Sequence, residues 1–261
     1  MTSHPIDGFV DRIKRLAHDI ETKAKEEVAA LPVPAPSGHE TLTNASLLAT
    51  CQTGDVILWS GSTGVSRVIR FATQSAFSHA SIVFRGPLDA SEEGTAAATT
   101  PRLLQATWSA FHEDADGEHE VVAHEVMLND LAEVLAGNER EAEPATLRRL
   151  QCEDARRAAL QADLAAFIAE TLGDDYPGAD TGSPNLADFI RGLLHLPKRY
   201  PNTYFCSELV AAALQAMGVL DTEMTDDAWT PGDLSEKHDA LLSRHLVEGY
   251  ALGAETRVLD G

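Results

Sequence analysis

Between residues 202 and 219 the chain reads NTYFCSELVAAALQAMGV, with Leu209, Val210, Ala213, Leu214 and Met217 apolar at three- and four-residue spacing. That period predicts a helix with one buried face, and Gly218 is a fitting stop. Over residues 6–31, Ile6, Phe9, Val10, Ile13, Leu16, Ile20, Ala24, Val28 and Leu31 form one stripe among charged neighbours, which predicts a long amphipathic helix. Over residues 154–172, a third helix turns Ala158, Leu160, Leu164, Phe167 and Ile168 inward, and Gly173 closes it.

Between these helices lie short apolar runs bounded by turn residues. In TGDVILWSG the pattern predicts a strand over 56–59, opening the core at about Thr53. A short helix follows over 66–73, carrying Val68, Ile69 and Phe71. QSAFSHASIVF then ends in a strand rich in β-branched residues, with His79 at its entrance. Period-two geometry sets His79 with Ser81 and Val83, and Ala80, Ile82 and Phe84 on the opposite face. The small, polar stretch 85–100 reads as a loop. Residues 103–108 form the next strand, with Gln105 and Thr107 on one face and Leu104, Ala106 and Trp108 on the other. A further strand falls over 145–151, and a short helical piece near 186–194. The linker PVPAPSG divides the chain into an N-terminal amphipathic helix with its linker, 1–38, and one domain over 39–261.

Charge narrows the partners. Twenty basic against 41 acidic residues leave a net charge of −21. Such a field repels nucleic acid and anionic membrane surfaces, so neither is an expected partner. No apolar signal core opens the chain and no run is long enough for a bilayer span, so stable membrane insertion is not expected. The expected compartment is the cytoplasm, although export by a route without a cleaved signal leaves no mark in the sequence. The helix over 6–31 is expected to pack across the domain, with docking to a protein partner or lying on a membrane surface as the alternatives. Three widely spaced cysteines have no zinc-ligand rhythm and suit a reducing compartment, with Cys51 and Cys152 as bystanders. FHEDADGEHEVVAHE, residues 111–125, offers several metal-type ligands, but its spacing fits no defined loop, and a charged hairpin tip explains it. Neither a metal nor another cofactor is expected.

Cys206 is the residue that calls for chemistry. If Asn202 or Thr203 caps its helix, Cys206 lies in or beside the first turn, where backbone N–H groups and the helix dipole favour a thiolate. Glu208 in the same turn works against a nearby thiolate, so a cationic partner is needed. A cysteine nucleophile also needs a base that takes the thiol proton and returns it to a leaving group, work suited to imidazole. His79, held by an apolar strand, is the best placed of ten histidines. Gln105 on the next strand can accept a hydrogen bond from the imidazole's second nitrogen and fix its tautomer.

Three motifs in order carry a family resemblance: Gly54-Asp55 with Val56 and Ile57; Ala72-Thr73-Gln74-Ser75 leading to Ser78-His79-Ala80-Ser81-Ile82-Val83; and Tyr204-Phe205-Cys206-Ser207-Glu208-Leu209-Val210. Weaker echoes are Leu147-Arg148-Arg149-Leu150, Tyr176 and Thr230-Pro231-Gly232-Asp233-Leu234. Over residues 53–234 the chain resembles the circularly permuted, YiiX-like branch of the NlpC-type papain-like cysteine hydrolases, a superfamily that includes lecithin:retinol acyltransferase. The resemblance implies a permuted papain-like α+β fold in which an antiparallel sheet carries the histidine and packs against the cysteine helix. It implies Cys206 as nucleophile, His79 as base then acid, Gln105 as orienting residue and Tyr176 as a contact to substrate or oxyanion. The implied reaction is thiol hydrolysis of an amide bond in a small peptide-like, cell-wall peptide or isopeptide substrate. A lipid acyl hydrolase or acyltransferase on the same fold, or a non-catalytic adaptor, are the alternatives.

Overall fold

The computed structural model of the chain describes residues 40–62, 64–106, 110–113, 119–122, 125–136, 144–175 and 203–259. The expected helix over 6–31, the piece near 186–194 and Tyr176 lie outside the described residues. In chain order the elements are β1 (Glu40–Thr43), α1 (Asn44–Thr50), β2 (Val56–Trp59), α2 (Gly64–Ala72), β3 (His79–Phe84), β4 (Arg102–Ala106), β5 (Ala110–Glu113), β6 (His119–Val122), β7 (Val126–Asp130) and α3 (Leu131–Ala136). After these come β8 (Ala145–Arg148), β9 (Leu150–Gln151), α4 (Asp154–Thr171), α5 (Cys206–Ala216), α6 (Asp239–His245), β10 (Ala251–Leu252) and β11 (Thr256–Leu259).

A seven-stranded sheet in the order β1-β11-β8-β2-β3-β4-β7 organises the molecule. Its pairings are antiparallel except β1 with β11. The chain is thus α+β, and the sheet extends past the motif-bearing 53–234, because β1 and β11 close one edge. β5 and β6 pair separately as an antiparallel hairpin, in keeping with the charged hairpin expected there.

Helices on both faces explain why β2 is apolar without alternation. On one face Val56, Leu58, Ala80, Ile82, Phe84, Leu104 and Ala106 pack with Leu160, Leu164 and Ile168 of α4 and Leu209, Val210, Ala213 and Leu214 of α5. On the other, Ile57, Trp59, Val83, Leu103, Leu147 and Val258 pack with Leu47, Cys51 and Leu131. Burial of each large aliphatic side chain here contributes roughly 1.5–3 kcal/mol.

Two boundaries differ from expectation. The strand over 145–151 breaks at Arg149, where β8 leaves the large sheet and β9 pairs instead with β10. In α4, Ala158 is exposed rather than inward, while Leu160, Leu164 and Ile168 are buried. A small side chain at one edge of the helical stripe adds too little buried area to turn the helix.

The end of the sheet where β2 starts and β8 finishes is closed by saturated polar groups. Gly54, at φ +90°, donates its N–H to Val83 O, and a Cβ there would lie 2.5 Å from Leu150 Cδ2. Asp55 Oδ2 accepts from Gln52 N and Oδ1 from Leu150 N, both at 2.9 Å, and Arg149 stands 3.6 Å away. Burial nevertheless holds the Asp55 carboxyl above its ordinary range. Arg148 is completely buried and donates to the carbonyls of Gly253, Leu234 and Leu252 and to Asp239 Oδ1, which pins the C-terminal segment to the sheet.

Candidate active site

At the opposite end of the sheet the polar groups have a different arrangement. His79, half-buried, is the first residue of β3. Ser78 N donates to Trp59 O and Gly61 N donates to Ser78 Oγ, both at 2.9 Å, so the entrance to the strand is held before the imidazole is reached. The Thr230-Pro231-Gly232-Asp233 turn braces the approach. At Gly232 a Cβ would sit 2.7 Å from Ser75 Cβ, so only glycine allows this contact. Asp233 Oδ2 accepts from Thr230 N and Oγ1, and its Oδ1 meets His238 Nδ1 at 2.9 Å.

His79 Nε2 lies 3.1 Å from Gln105 Oε1. Gln105 is buried on β4, and its Nε2 donates to Asn129 Oδ1 on β7 at 3.0 Å. The structure therefore brings His79 and Gln105 together as expected, and adds Asn129. No strand is expected from the sequence over 126–130, where Val126, Met127 and Leu128 form a short apolar run rather than an alternation.

Cys206 is the first residue of α5 and is 6% exposed. The cap differs from expectation: Phe205 is the N-cap, and Thr203 instead bridges Asp175. Glu208 Oε2 accepts from Phe205 N at 2.9 Å, the reach-back half of a capping box, in place of the bond from a first-turn N–H to an Asn202 or Thr203 side chain that was expected. Ser207 Oγ donates to Trp229 O at 2.8 Å and anchors the first turn from its other side. Because the helical ladder opens with Leu209 N to Phe205 O, the N–H groups of residues 206–208 lie outside it and give this end of α5 its anion-favouring field.

A run of backbone bonds sets where α5 begins. Tyr204 N donates to Asp175 O at 3.1 Å, Asp175 bridges Glu125, and Val126 N donates to Asp174 O at 2.8 Å. Val126 is paired with Ala106, the residue after Gln105. The start of α5 is thereby tied to the sheet end that carries Gln105 and His79, and the body of α5 packs across β3 and β4.

The other cysteines are unlike Cys206. Cys51 follows the last turn of α1 and is fully buried, and burial pushes its thiol up to about 11. Cys152 is half-buried between β9 and α4. Within the stretch 111–125, residues 114–118 and 123–124 lie outside the described residues. Among the described residues, Asp221, Glu223 and His245 hold metal-type donor atoms within 4.8 Å of one another. Two of these are engaged together, His245 Nδ1 with Asp221 Oδ1 at 3.0 Å, beside the backbone bond Asp221 N to His245 O. That pair staples the end of α6 to the turn after α5.

Neither a protein-family model nor a curated protein matches the chain. Among solved structures it is similar to the metalloprotein yiiX from Escherichia coli O157:H7, with 17% identity, a TM-score of 0.42, and coverage of 81% of this chain and 98% of that one. Among the described residues no helix is long and apolar enough to cross a membrane.

Proposed function

We propose that the chain is a cysteine hydrolase of permuted papain-like type that cleaves amide bonds in small peptide-like substrates. What supports the reading is the His79–Gln105 pair at the sheet end to which the backbone bonds through Asp175 and Val126 tie the start of α5, together with the motif order Gly-Asp, Ser-His, Cys-Ser-Glu. Sγ of Cys206 attacks the substrate carbonyl carbon while its proton passes to His79. Charge develops on the carbonyl oxygen, and the Cys206 N–H donates to it. The carbon–nitrogen bond breaks, the amine leaves with the proton from His79, and a thioester remains on Cys206. Water then attacks the thioester, gives its proton to His79 and releases the acid. The thiolate left on Cys206 is ready for the next cycle.

Alkylation of each cysteine followed against pH by mass spectrometry, in the native chain and in His79→Ala, tests this. Cys206 is expected to react fast below about pH 7 and to lose that rate without His79. An unreactive Cys206, or one indifferent to His79, refutes the reading. A panel of peptide amides and lipid esters then assigns the bond class: fatty acid release without peptide cleavage would replace the amide substrate with a lipid one.

A further inference from the structure

His79, Gln105 and Asn129 lie on three adjacent strands, each hydrogen-bonded to the next. Gln105 pairs across the sheet with Met127 and Asn129 with Leu103, so the Gln105–Asn129 bond runs diagonally across the β4–β7 ladder. An amide chain of this kind has two self-consistent polarities. In one, Asn129 Oδ1 accepts from Gln105 Nε2, Gln105 Oε1 accepts from the N–H at His79 Nε2, and the imidazole lone pair is on Nδ1. In the other every bond is reversed: Asn129 donates, Gln105 donates to Nε2, and the ring proton moves to Nδ1. Only the first leaves Nδ1 able to take a thiol proton. Gln105 turns Oε1 to His79 Nε2 and Nε2 to Asn129 Oδ1, the amide orientations of the first.

We infer that Asn129 is a positioning residue that sets the tautomer of His79 through Gln105, an inference that rests on the cysteine-hydrolase reading for its consequence but not for its geometry. A glutamine, unlike a carboxylate, has no intrinsic preference for presenting oxygen to the ring. Its orientation must come from whatever binds its other end, and here that is an acceptor. The same bond polarises the amide, so that Gln105 Oε1 becomes a better acceptor for the imidazolium formed when Cys206 loses its proton.

The test uses the full chain labelled with 15N in the histidine rings, His79 being assigned from the signal lost in His79→Ala. At a pH where the ring is neutral, the native protein is expected to show the Nε2–H tautomer at His79. Asn129→Ala is expected to populate the Nδ1–H form and to slow alkylation of Cys206 about tenfold, a fraction of the 10²–10⁴ a positioned base supplies. Asn129→Asp, which can only accept, is expected to keep the Nε2–H form. Gln105→Glu combined with Asn129→Ala is expected to restore it, because the carboxylate accepts without being oriented. If Asn129→Ala fails to fold, the Asn129→Asp spectrum decides, since a shift to Nδ1–H there overturns the inference. So does an unchanged tautomer in a folded Asn129→Ala. If the tautomers follow the pattern while Cys206 is inert in every variant, the relay stands and the hydrolase reading fails. If Cys206 is reactive but the tautomer ignores Asn129, the reverse holds.

Discussion

The two ends of the central sheet use the same residue types for opposite purposes. At one end Asp55, Arg148 and Gly54 are buried, with the carboxylate and guanidinium engaged by backbone groups from distant segments, and Cys51 has its thiol held up near 11. At the other end a helix begins at Cys206, and a half-buried imidazole leans on an amide relay. Burial alone makes a cysteine inert, because desolvation opposes its thiolate. Both thiols are buried, but Cys51 follows the carbonyl end of α1 whereas Cys206 opens the N–H end of α5, so helix direction separates them.

The largest effect sharpens that contrast directly. Cys206→Ala is expected to abolish turnover of a cleavable peptide amide, whereas Cys51→Ala leaves it within a few-fold of native; equal losses in both would erase the distinction. On the structural end, Arg148→Ala removes a buried guanidinium that donates to three buried carbonyls and to the half-exposed Asp239. With those carbonyls left without a donor, it should cost about 3–5 kcal/mol in denaturant unfolding. Gly54→Ala, strained at positive φ and facing Leu150, should cost about 1–3 kcal/mol in the same measurement.

Asp55→Asn gives a smaller, pH-dependent effect. Burial raises the folded carboxyl above its ordinary 3.8, so the folded chain binds this proton more tightly than the unfolded one. The contribution of Asp55 to stability is therefore greatest below 3.8 and declines as pH rises through the folded value. In Asp55→Asn that decline should vanish from the stability–pH curve. The lost acceptor for one backbone N–H should lower stability by about 1–2 kcal/mol. A curve in Asp55→Asn as steep as the native one over that range would show that the titration belongs to another group.

How much was legible in advance follows from the range of each interaction. β2, β3 and α4 were read close to their observed bounds because apolar period and turn residues act within a few positions. The His79–Gln105 contact was legible because both stand on strands whose faces follow from alternation. Asn129 was missed because its role depends on β7 pairing with β4 across an intervening hairpin, which no local pattern announces. The cap of α5 differs for a related reason: Thr203 bridges Asp175, Phe205 stands at the N-cap, and Glu208 holds the Phe205 N–H.

By itself the sequence determined the helix behind Cys206, the strand behind His79 and the acidic charge, all properties carried by spacing and composition. Only the tertiary structure decided which sheet end receives the start of α5, which arginine is buried, and which side chain holds Gln105 in one orientation. Those choices rest on contacts between segments tens of residues apart, where the deciding energies are hydrogen bonds to particular backbone atoms rather than any periodic preference.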